Sequence, residues 1–576
     1  MRLRITKSAH SNSYSVIKSA YINKKRTTVT VERLGNEKYI CETYGVDDAE
    51  AWARQHVAEL NQKAKEDESS VSISFSPVRS VPLDKQRSFN AGYLFLQDIY
   101  YDLGLHKICT AIKRKHKFSY NLNSILSRLV YSRIIYPGSK KNTAQQSVRF
   151  IEEPDFELHQ VYRALSLLAS ESDYIQSTLY KNSIKLSKRR TDVIYYDCTN
   201  YYFEIEQADG DKQYGYSKEN RPNPIVQMGL FMDRDGIPLA FCINPGNTNE
   251  QVTLKPLEKK LLSDFSLSRF VVCTDAGLSS NDNRRFNDRG GRAFITTQSV
   301  KKLKSFQEEW VLDPEGWQVL GQPGRTISLS DLDEEKDTGT VLYKERWFNE
   351  NDLEQRMIVT YSLKYRDYLR ALRQRQVERA RKKVNHPSSL KSKRPTDDKR
   401  FIKEQRCTGD GEIADNAVYS IDEEKIAQEE KYDGFYAVCT NLEDEAQEIV
   451  RVNQQRWQIE QCFRIMKHEF KARPAYLHRS ERIRAHFMTC FIALIVYRYL
   501  EIRMKNEYTA ERLISQLREM DMVKLEGYGY IPSYDRNALT DELHKAAGFR
   551  TDTEIIPIAK MRNICKNTKS HKEPKG

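Results

Sequence analysis

The amino-acid sequence predicts an α/β protein: a mixed β-sheet with flanking helices, interrupted by an insertion domain and accompanied by an N-terminal β module and a helical region. Short apolar segments bounded by turn residues recur between residues 191 and 300 and again after residue 431, which is typical of buried strands. The stretch between these two groups is rich in charge. The chain has 576 residues, of which 39% are hydrophobic, so it is long and apolar enough for several folding units.

The N-terminal part predicts two different kinds of structure. In residues 1–80 the segments SYSVIKSAYI and RTTVTVERLG alternate apolar and polar residues, which predicts a small β-rich module followed by a linker. Between residues 81 and 190 the period changes to that of helices, in segments such as AGYLFLQDIYYDLGL and NSILSRLVYSRII. We therefore predict a helical region there.

Residues 191–300 predict the first part of the sheet core. The strand-like runs DVIYYDCTN, PIVQMGLFMD and GIPLAFCIN come before a probable helix, and the runs RFVVCTD and RAFITT follow it. The turn Asp233–Gly236 separates the second and third runs and indicates a hairpin. Three antiparallel strands, a helix and a further buried strand are typical of one half of an α/β sheet.

The remainder of the chain predicts an interruption and a resumption of this core. Residues 301–430 are charge-rich and include a basic helix, which predicts an insertion domain. The run DGFYAVCTN restores a buried strand in residues 431–505, the second part of the core. The apolar stretch Phe487–Tyr497 is too short for a bilayer, which needs about 20 residues, and predicts a buried core helix. Residues 506–576 predict a helical region with a basic tail.

Charge and cysteine usage restrict the class of partner. The net charge is +13, and Lys and Arg concentrate in segments 1–36, 364–400 and 560–576 on an otherwise slightly acidic chain. Basic segments of this kind favour a polyanion such as nucleic acid, although solvated helices and tails are the commoner explanation. The ten Cys contain no C-x-x-C pair, which argues against a zinc module or a disulfide framework. No secretory signal is present at the N-terminus, so we expect an intracellular protein.

Two aspartates each end an apolar strand. Asp197 stands in DVIYYDCTN and Asp275 in FVVCTDAGL. A carboxylate at the end of a buried strand loses hydration unless it is hydrogen-bonded, solvated or bound to a cation. Each Asp alone is explained by ordinary turn chemistry. Together they indicate a cation site, because neighbouring strands bring their ends within reach of one metal ion.

A predicted helix from about Leu442 to Phe470 carries further polar residues. At about 100° per residue, Asn453, Arg456, Glu460 and Lys467 fall on one face, beside an apolar stripe that would pack on the sheet. An Arg/Glu pair at i, i+4 with a solvated Lys explains this pattern equally well. The face would lie at the boundary of the core.

These residues together resemble a known family. Asp197 in YYDCTNYYF, Asp275 in VCTDAGL, and Arg456, Glu460 and Lys467 in NQQRWQIEQCFRIMK are similar to the bacterial insertion-sequence DDE transposases with the Tyr-Arg-Glu-Lys signature. The segments YSRIIYPGSKKNT, HQVYRALSLL, YDGFYAVCTN and RPAYLHRSERIRAHFMTCFIAL resemble the same family, so the likeness covers most of the chain. Asn453 stands where the signature has Tyr; it can donate to a phosphate but offers no ring.

The resemblance implies an RNase H-like catalytic core with an insertion before the glutamate, and it implies a site for two divalent cations. Asp197 would bridge the ions, and Asp275 and Glu460 would each complete one site. Hard oxygen ligands suit Mg²⁺, with Mn²⁺ as a substitute. Arg456, Lys467 and Asn453 would contact DNA phosphates.

The resemblance also implies an activity and its setting. The enzyme would act as a homodimer on double-stranded DNA in the bacterial cytoplasm, at the nucleoid. It would cut at transposon ends and join the 3′-hydroxyl to target DNA. Two alternatives remain open: a catalytically inactive repressor or domesticated transposase, and a nuclease without strand transfer. No membrane partner is expected.

Overall fold

The computed structural model describes most of the chain. The described residues are 1–8, 11–22, 25–69, 71–219, 221–350, 352–386, 398–407 and 413–570. They belong to two compact units, Met1–Lys85 and Gln86–Gly576. The finer division into six parts that the sequence predicts stays a prediction.

The smaller unit is an antiparallel sheet followed by two helices. Its elements are β1 Arg2–Lys7, β2 Asn12–Ile22, β3 Lys25–Asn36, α1 Glu37–Tyr44 and α2 Ala49–Ser69. The strands pair in the order β1-β2-β3, as their alternating sequences predict. Asn36 caps α1 by accepting from the Tyr39 backbone N–H at 2.8 Å. Val16, Leu34, Ile40 and Ala53 form its core.

The larger unit combines helices on both faces of a sheet. Its helices are α3 Tyr93–Asp102, α4 Leu105–Lys115, α5 Leu122–Ile135, α6 Lys140–Gln146, α7 Leu158–Ser170, α8 Ser172–Leu186, α9 Leu254–Asp264, α10 Asn281–Asn287, α11 Ser305–Leu312, α12 Leu363–Val384, α13 Glu423–Glu430, α14 Ala446–Gln454, α15 Trp457–Arg464, α16 Ser480–Arg503, α17 Ala510–Glu519, α18 Ala538–Ala547 and α19 Ile558–Asn567. The helical period predicted for residues 81–190 is confirmed by α3 to α8.

The strands of the larger unit fall into a large sheet, a small sheet and a hairpin. They are β4 Ser88–Asn90, β5 Val193–Tyr202, β6 Ile225–Asp233, β7 Pro238–Pro245, β8 Val271–Thr274, β9 Ala293–Gln298, β10 Trp317–Val319, β11 Thr326–Ile327, β12 Leu342–Glu350, β13 Leu353–Tyr361, β14 Ile402–Cys407, β15 Ile413–Ile421, β16 Phe435–Thr440, β17 Asp521–Leu525, β18 Gly529–Pro532 and β19 Ile556–Pro557. The small sheet has the order β19-β18-β17-β4, and β14 pairs with β15.

The large sheet is mixed. Within the described residues it has ten strands in the order β11-β10-β12-β13-β16-β9-β8-β5-β6-β7. The pairs β5–β8 and β8–β9 are parallel, and β5–β6, β6–β7 and β16–β9 are antiparallel. The mixed sheet with flanking helices that the sequence predicts is therefore confirmed.

Part of the segment 301–430, the predicted insertion domain, joins this sheet. Its strands β10 to β13 extend the large sheet through the antiparallel pair β13–β16. The physical reason is that β16 would otherwise be an edge with unpaired backbone groups, and β13 satisfies them. Only the strands between Trp317 and Tyr361 join in this way; the hairpin β14–β15 is separate.

The two faces of the large sheet are covered by different helices. Ile194, Tyr196 and Val272 pack with Leu257 and Leu261 of α9 on one face. Tyr195, Met228 and Cys273 belong to the main core on the other face, together with α14, α15 and α16. These alternating positions follow from the two-residue period of strands.

Helix α16 is the centre of the main core. It is long and apolar enough to cross a membrane by length and composition, but almost all of its apolar window is buried in protein. It packs on α3, α5, α7 and β7. The prediction of a buried core helix at Phe487–Tyr497 is confirmed, because these residues are fully buried. The helix extends beyond this apolar stretch at both ends, and the added residues are more polar.

Candidate active site

Asp197 lies in the middle of β5, not at its end as the sequence predicts, and Asp275 directly follows the neighbouring parallel strand β8. The last pair of the β5–β8 ladder joins Tyr195 to Cys273, and each aspartate follows two residues later. Because side chains alternate along extended chain, each aspartate faces the same side as its ladder residue. On that side the Tyr195 hydroxyl donates to the Val452 carbonyl at 3.1 Å. Both carboxylates therefore point toward the layer of α14 and α15.

The charge of Asp275 acts on the carboxyl group of Asp197. Burial raises the pKa of Asp197 to about 7, and the negative charge of Asp275 contributes to the rise. The backbone N–H of Cys198 donates to Asp197 Oδ1 at 2.7 Å, and that of Leu278 donates to Asp275 Oδ1 at 3.1 Å. Like charges held together at low hydration favour either a shared proton or a bound cation. The pair therefore has the chemistry of a cation site.

Cationic side chains surround Asp197. Lys218 Nζ donates to the Cys198 carbonyl at 2.6 Å and pairs with Glu250 at 3.1 Å. Burial opposes the charge of Lys218, but the carboxylates of Asp197 and Glu250 outweigh it and raise its pKa. The pKa of Lys467 is lowered to about 8 by burial and by the charge of Lys218, against the opposing effect of Asp197.

The continuous helix predicted for residues 442–470 is wrong. Helix α14 ends at Gln454 and α15 begins at Trp457, and residues 465–469 form a π-helical turn. An unbroken helix would direct the Arg456 N–H to the Val452 carbonyl, but Tyr195 donates to that carbonyl and Arg456 instead bonds to Asn453 at 3.2 Å. The rotation of about 100° per residue does not continue across this break.

Arg456 connects α15 to the ends of the central strands. One amino group of its guanidinium donates to the Thr274 carbonyl at 3.3 Å and to Thr297 Oγ1 at 3.0 Å. The other lies 3.9 Å from Glu460 Oε1. The i, i+4 ion pair is therefore present, and the same Arg also fixes the helix to the end of β8, which Asp275 follows.

Glu460 is not gathered with the two aspartates. Its side chain is 66% exposed on α15. Among the described residues, no three His, Cys, Asp or Glu side chains lie close enough together to hold a metal ion. The structure therefore brings Asp197 and Asp275 together but does not reproduce the predicted three-carboxylate site, because Glu460 stays with Arg456 at the solvent boundary.

Asn453 is buried, which the predicted polar face did not anticipate. Its amide donates to the Tyr436 hydroxyl at 2.7 Å, and its carbonyl oxygen accepts from Thr297 Oγ1 at 3.5 Å. The Tyr436 hydroxyl lies 2.9 Å from Thr297 Oγ1. The Asn453 side chain is thus held inside a closed ring of hydrogen bonds and is buried, so the predicted contact of Asn453 with DNA stays a prediction.

Comparison with known proteins identifies the family. Residues 189–496, more than half of the chain, match the family model described as "Transposase DDE domain". The chain belongs to the DDE transposases. A solved structure, "Cryo-EM structure of piggyBac transposase synaptic complex with hairpin DNA", aligns with 85% of this chain and 89% of that chain at 9% identity and a TM-score of 0.36. Comparison with curated proteins found no match.

Several site residues of this transposase were missed in the sequence. Lys218 and Glu219 lie in the loop after β5, and Glu219 pairs with Lys467 at 3.3 Å. Tyr436 and Thr297 complete the ring around Asn453. The charged SKEN segment after an apolar strand was the available signal for Lys218. No local pattern identifies Tyr436, because its position depends on the register of β16 with β9.

The basic helix of the transposase is partly neutralised by its own neighbours. Arg373 of α12 is buried and pairs with Asp433 and Glu430. Arg366 pairs with Glu334 at 3.0 Å. Other cations of α12, such as Arg381, are well exposed. Part of the positive charge of segment 364–400 therefore stabilises the fold and is not available to a polyanion.

Proposed function

We propose that this transposase cuts DNA at the ends of a bacterial insertion sequence and joins the freed 3′-hydroxyl to target DNA. The observation that carries the proposal is the pair Asp197 and Asp275, one in the middle of β5 and the other directly after the neighbouring strand β8, within the segment that matches the family. Arg456 and Lys467 supply positive charge around the same position. Carboxylates for a cation and cations for phosphates are the groups that phosphodiester chemistry requires.

The proposed core is RNase H-like. In its support, strands β7-β6-β5-β8-β9 are adjacent in that order, with the first three antiparallel and the last three parallel. The proposed signature is Tyr-Arg-Glu-Lys, with Asn453 in the Tyr position and Arg456, Glu460 and Lys467 in the others. Residues 301–430 would be the insertion, attached by its strands to the edge of the core.

The proposed cofactor is a pair of Mg²⁺ ions, with Mn²⁺ as a substitute. The donor set fits, because Asp197 and Asp275 offer hard oxygens whose mutual repulsion a cation relieves. Glu460, which is exposed on α15 and apart from the two aspartates, would have to turn toward them to complete the set. When bound, such ions stabilise the entering and leaving oxygens of an in-line displacement.

The other residues of the site act on the DNA phosphates. Arg456 is held by Thr274 and Thr297, and its second amino group, 3.9 Å from Glu460 Oε1, would bind a phosphate oxygen. Lys467 and Lys218 would balance the negative charge of DNA brought against two carboxylates. We further propose a homodimer on paired transposon ends, acting in the bacterial cytoplasm.

The test uses the purified full chain and the DNA that flanks its coding sequence. With Mg²⁺ we expect nicks at two inverted ends, and with a pre-cut 3′-hydroxyl end we expect joined product. Asp197→Asn, Asp275→Asn and Glu460→Gln should each bind the ends and fail to nick them. Asp282→Asn, an exposed aspartate seven residues after Asp275, is the matched control and should nick normally.

Each alternative gives a different result in that assay. End binding without nicking by the wild-type chain, in Mg²⁺ and in Mn²⁺, would establish the inactive repressor. Nicking without joining of the pre-cut end would establish a nuclease. Normal nicking by Glu460→Gln would remove that residue from the proposed set.

A further inference from the structure

A cavity outside the carboxylate site is lined by cations. Its volume is about 310 Å³. It lies between the segment that follows α5 and the segment that follows the π-helical turn. Among the described residues, the lining includes four cationic side chains, a histidine and two tyrosines, and it has no carboxylate: Arg133, Lys140, Lys471, Arg473, His486, Tyr162 and Tyr476. Lys140 belongs to the motif YPGSKKNT, and no residue of this motif takes part in the carboxylate site described above.

Lys140 is buried without an acidic partner. Its side chain is 4% exposed, and its ammonium donates to His486 Nδ1 at 3.4 Å. His486 Nε2 lies 3.0 Å from the Ala472 carbonyl. A carbonyl only accepts, so Nε2 carries the ring proton and Nδ1 accepts from Lys140. The histidine is therefore neutral and gives no counter-charge.

Burial and the neighbouring Arg133 lower the pKa of Lys140 to about 7. Arg133 is itself buried, and its amino groups donate to the carbonyls of Phe470 at 3.1 Å and Gly138 at 3.0 Å. Its Nε is buried with no hydrogen-bond partner among the described residues. Two buried cations next to a cavity without a carboxylate leave positive charge uncompensated, which is costly unless an anion enters.

The cavity is connected to the carboxylate site by charged side chains. Arg473, in the cavity lining, forms an ion pair with Glu219. Glu219 also pairs with Lys467 at 3.3 Å. Lys467 in turn lies near Asp197, whose negative charge favours the protonated form of Lys467 and so acts to raise its pKa. A chain of alternating charges therefore leads from Asp197 to the cavity.

We propose that this cavity binds a phosphate group of the DNA strand that the transposase holds at Asp197 and Asp275. The inference rests on the proposed function. Lys140 has three N–H donors and uses one on His486, so two remain for phosphate oxygens. The phosphate supplies the counter-charge that the buried cations lack. Tyr162 and Lys471 are further donors in the lining.

The first test compares Lys140→Met with Lys141→Met in the full chain. Lys141 is exposed and adjacent, so both variants lose one positive charge. Binding of a labelled duplex is measured by fluorescence anisotropy across a salt series. We expect Lys140→Met to bind about tenfold more weakly and to lower the slope of log affinity against log salt by about 0.9, the value for one phosphate contact. Equal losses in both variants would overturn the proposal.

A second measurement uses the wild-type chain, so it does not depend on how the variant folds. Lysine acylation is mapped by mass spectrometry in the free protein, with inorganic phosphate, and with the duplex. Protection of Lys140 by the duplex at concentrations that saturate binding supports the proposal. Protection by inorganic phosphate alone assigns the cavity to a free anion, and labelling unchanged by either overturns it.

These outcomes are distinct from failure of the proposed function. If Asp197→Asn still nicks DNA, the carboxylate proposal fails while Lys140 protection stays measurable. If the wild-type chain nicks and joins DNA but Lys140→Met binds and nicks like Lys141→Met, only the cavity proposal fails. Asp197→Asn should keep the wild-type salt slope, because it removes no phosphate contact.

Discussion

Two aspartates on the hairpin β5–β6 have opposite surroundings. Asp233 is fully buried, and its carboxylate accepts from the Arg189 guanidinium and from the backbone N–H groups of Asp235 at 3.1 Å and Ile237 at 2.9 Å. Asp197 has one hydrogen bond from a neighbouring N–H, and another carboxylate raises its pKa. The first arrangement is complete without a ligand, and the second is not.

The difference distinguishes charged groups that are satisfied within the fold from charged groups whose charge a ligand would compensate. Buried charges persist in folded proteins when partners satisfy them, and uncompensated ones concentrate at functional sites. Lys140 is the basic counterpart of Asp197, since burial and a neighbouring like charge disfavour its charged form too. Asp233, Asp197 and Lys140 are thus three buried charged groups that differ in how their charge is compensated. Substitutions at these positions or at their partners test the difference.

The largest expected effect is on catalysis. Asp197→Asn should lower the nicking rate by roughly 10³-fold or more, because several kcal/mol of transition-state stabilisation are lost with the ligand. Its free energy of unfolding should be equal to or higher than that of the wild type, because a repelled carboxylate is neutralised. Rates and denaturation curves of Asp197→Asn and Asp282→Asn give the measurement. A stability loss in Asp197→Asn would contradict the comparison.

The next effect is on folding. Arg189→Met leaves the Asp233 charge buried alone, and we expect the free energy of unfolding to fall by about 3 to 5 kcal/mol. The matched control is Arg190→Met, whose exposed ion pair with Asp235 should contribute about 0 to 1 kcal/mol. Urea denaturation measures both. Equal losses in the two variants would show that burial does not distinguish these ion pairs.

The free energy of unfolding should depend on pH because the pKa of Asp197 is raised in the folded chain. Its pKa in the folded chain is about 7, above the ordinary value of 3.8. Between these values the folded state holds a proton that the unfolded chain has released. Stability should therefore fall as the pH rises through this window and level off above it. Asp197→Asn should lack this component.

Added Mg²⁺ tests the same carboxylate through its effect on thermal stability. Above the pKa of Asp197 the ion should raise the melting temperature of the wild type with the logarithm of its concentration, by an amount equivalent to about 2.7 kcal/mol at one hundred times the Kd. The rise should be much smaller in Asp197→Asn. A rise of the same size in both proteins would mean that the ion binds elsewhere.

Much of the fold was predictable from sequence because its signals are local. Apolar runs bounded by turns identified β5 to β9 and β16, and periodicity identified the helices before them. The placement of β10 to β13 was missed because strand pairing depends on residues far apart in the chain. The break before α15 was missed for the same reason, since the hydroxyl that takes the Val452 carbonyl belongs to Tyr195.

The site was predictable only in part. The two aspartates could be paired from their positions in two apolar runs, although Asp197 lies inside β5 because the strand continues through the more polar residues 198–202. Glu460 could not be placed, since the helix that carries it is interrupted, and the burial of Asn453 depends on Tyr436 of a distant strand. Lys140 lies in a polar motif without apolar flanks, so nothing local indicates that its charge is buried.

The smallest expected effect tests how Arg456 is positioned. The Tyr436 hydroxyl accepts from Asn453 and lies 2.9 Å from Thr297 Oγ1, to which Arg456 donates. Tyr436→Phe removes one member of this ring at a net cost of about 1 kcal/mol. If the ring orients Arg456, the rate constant for nicking should fall roughly five- to tenfold with little change in KM.

The control for this substitution is Tyr343→Phe, because the Tyr343 hydroxyl donates to an exposed glutamine side chain, that of Gln318, at 2.8 Å. It should change neither rate nor stability. A Tyr436→Phe variant that is less stable but nicks at the wild-type rate would restrict the ring to folding. The orientation of Arg456 would then depend on the Thr274 carbonyl, since that bond remains when the hydroxyl is lost.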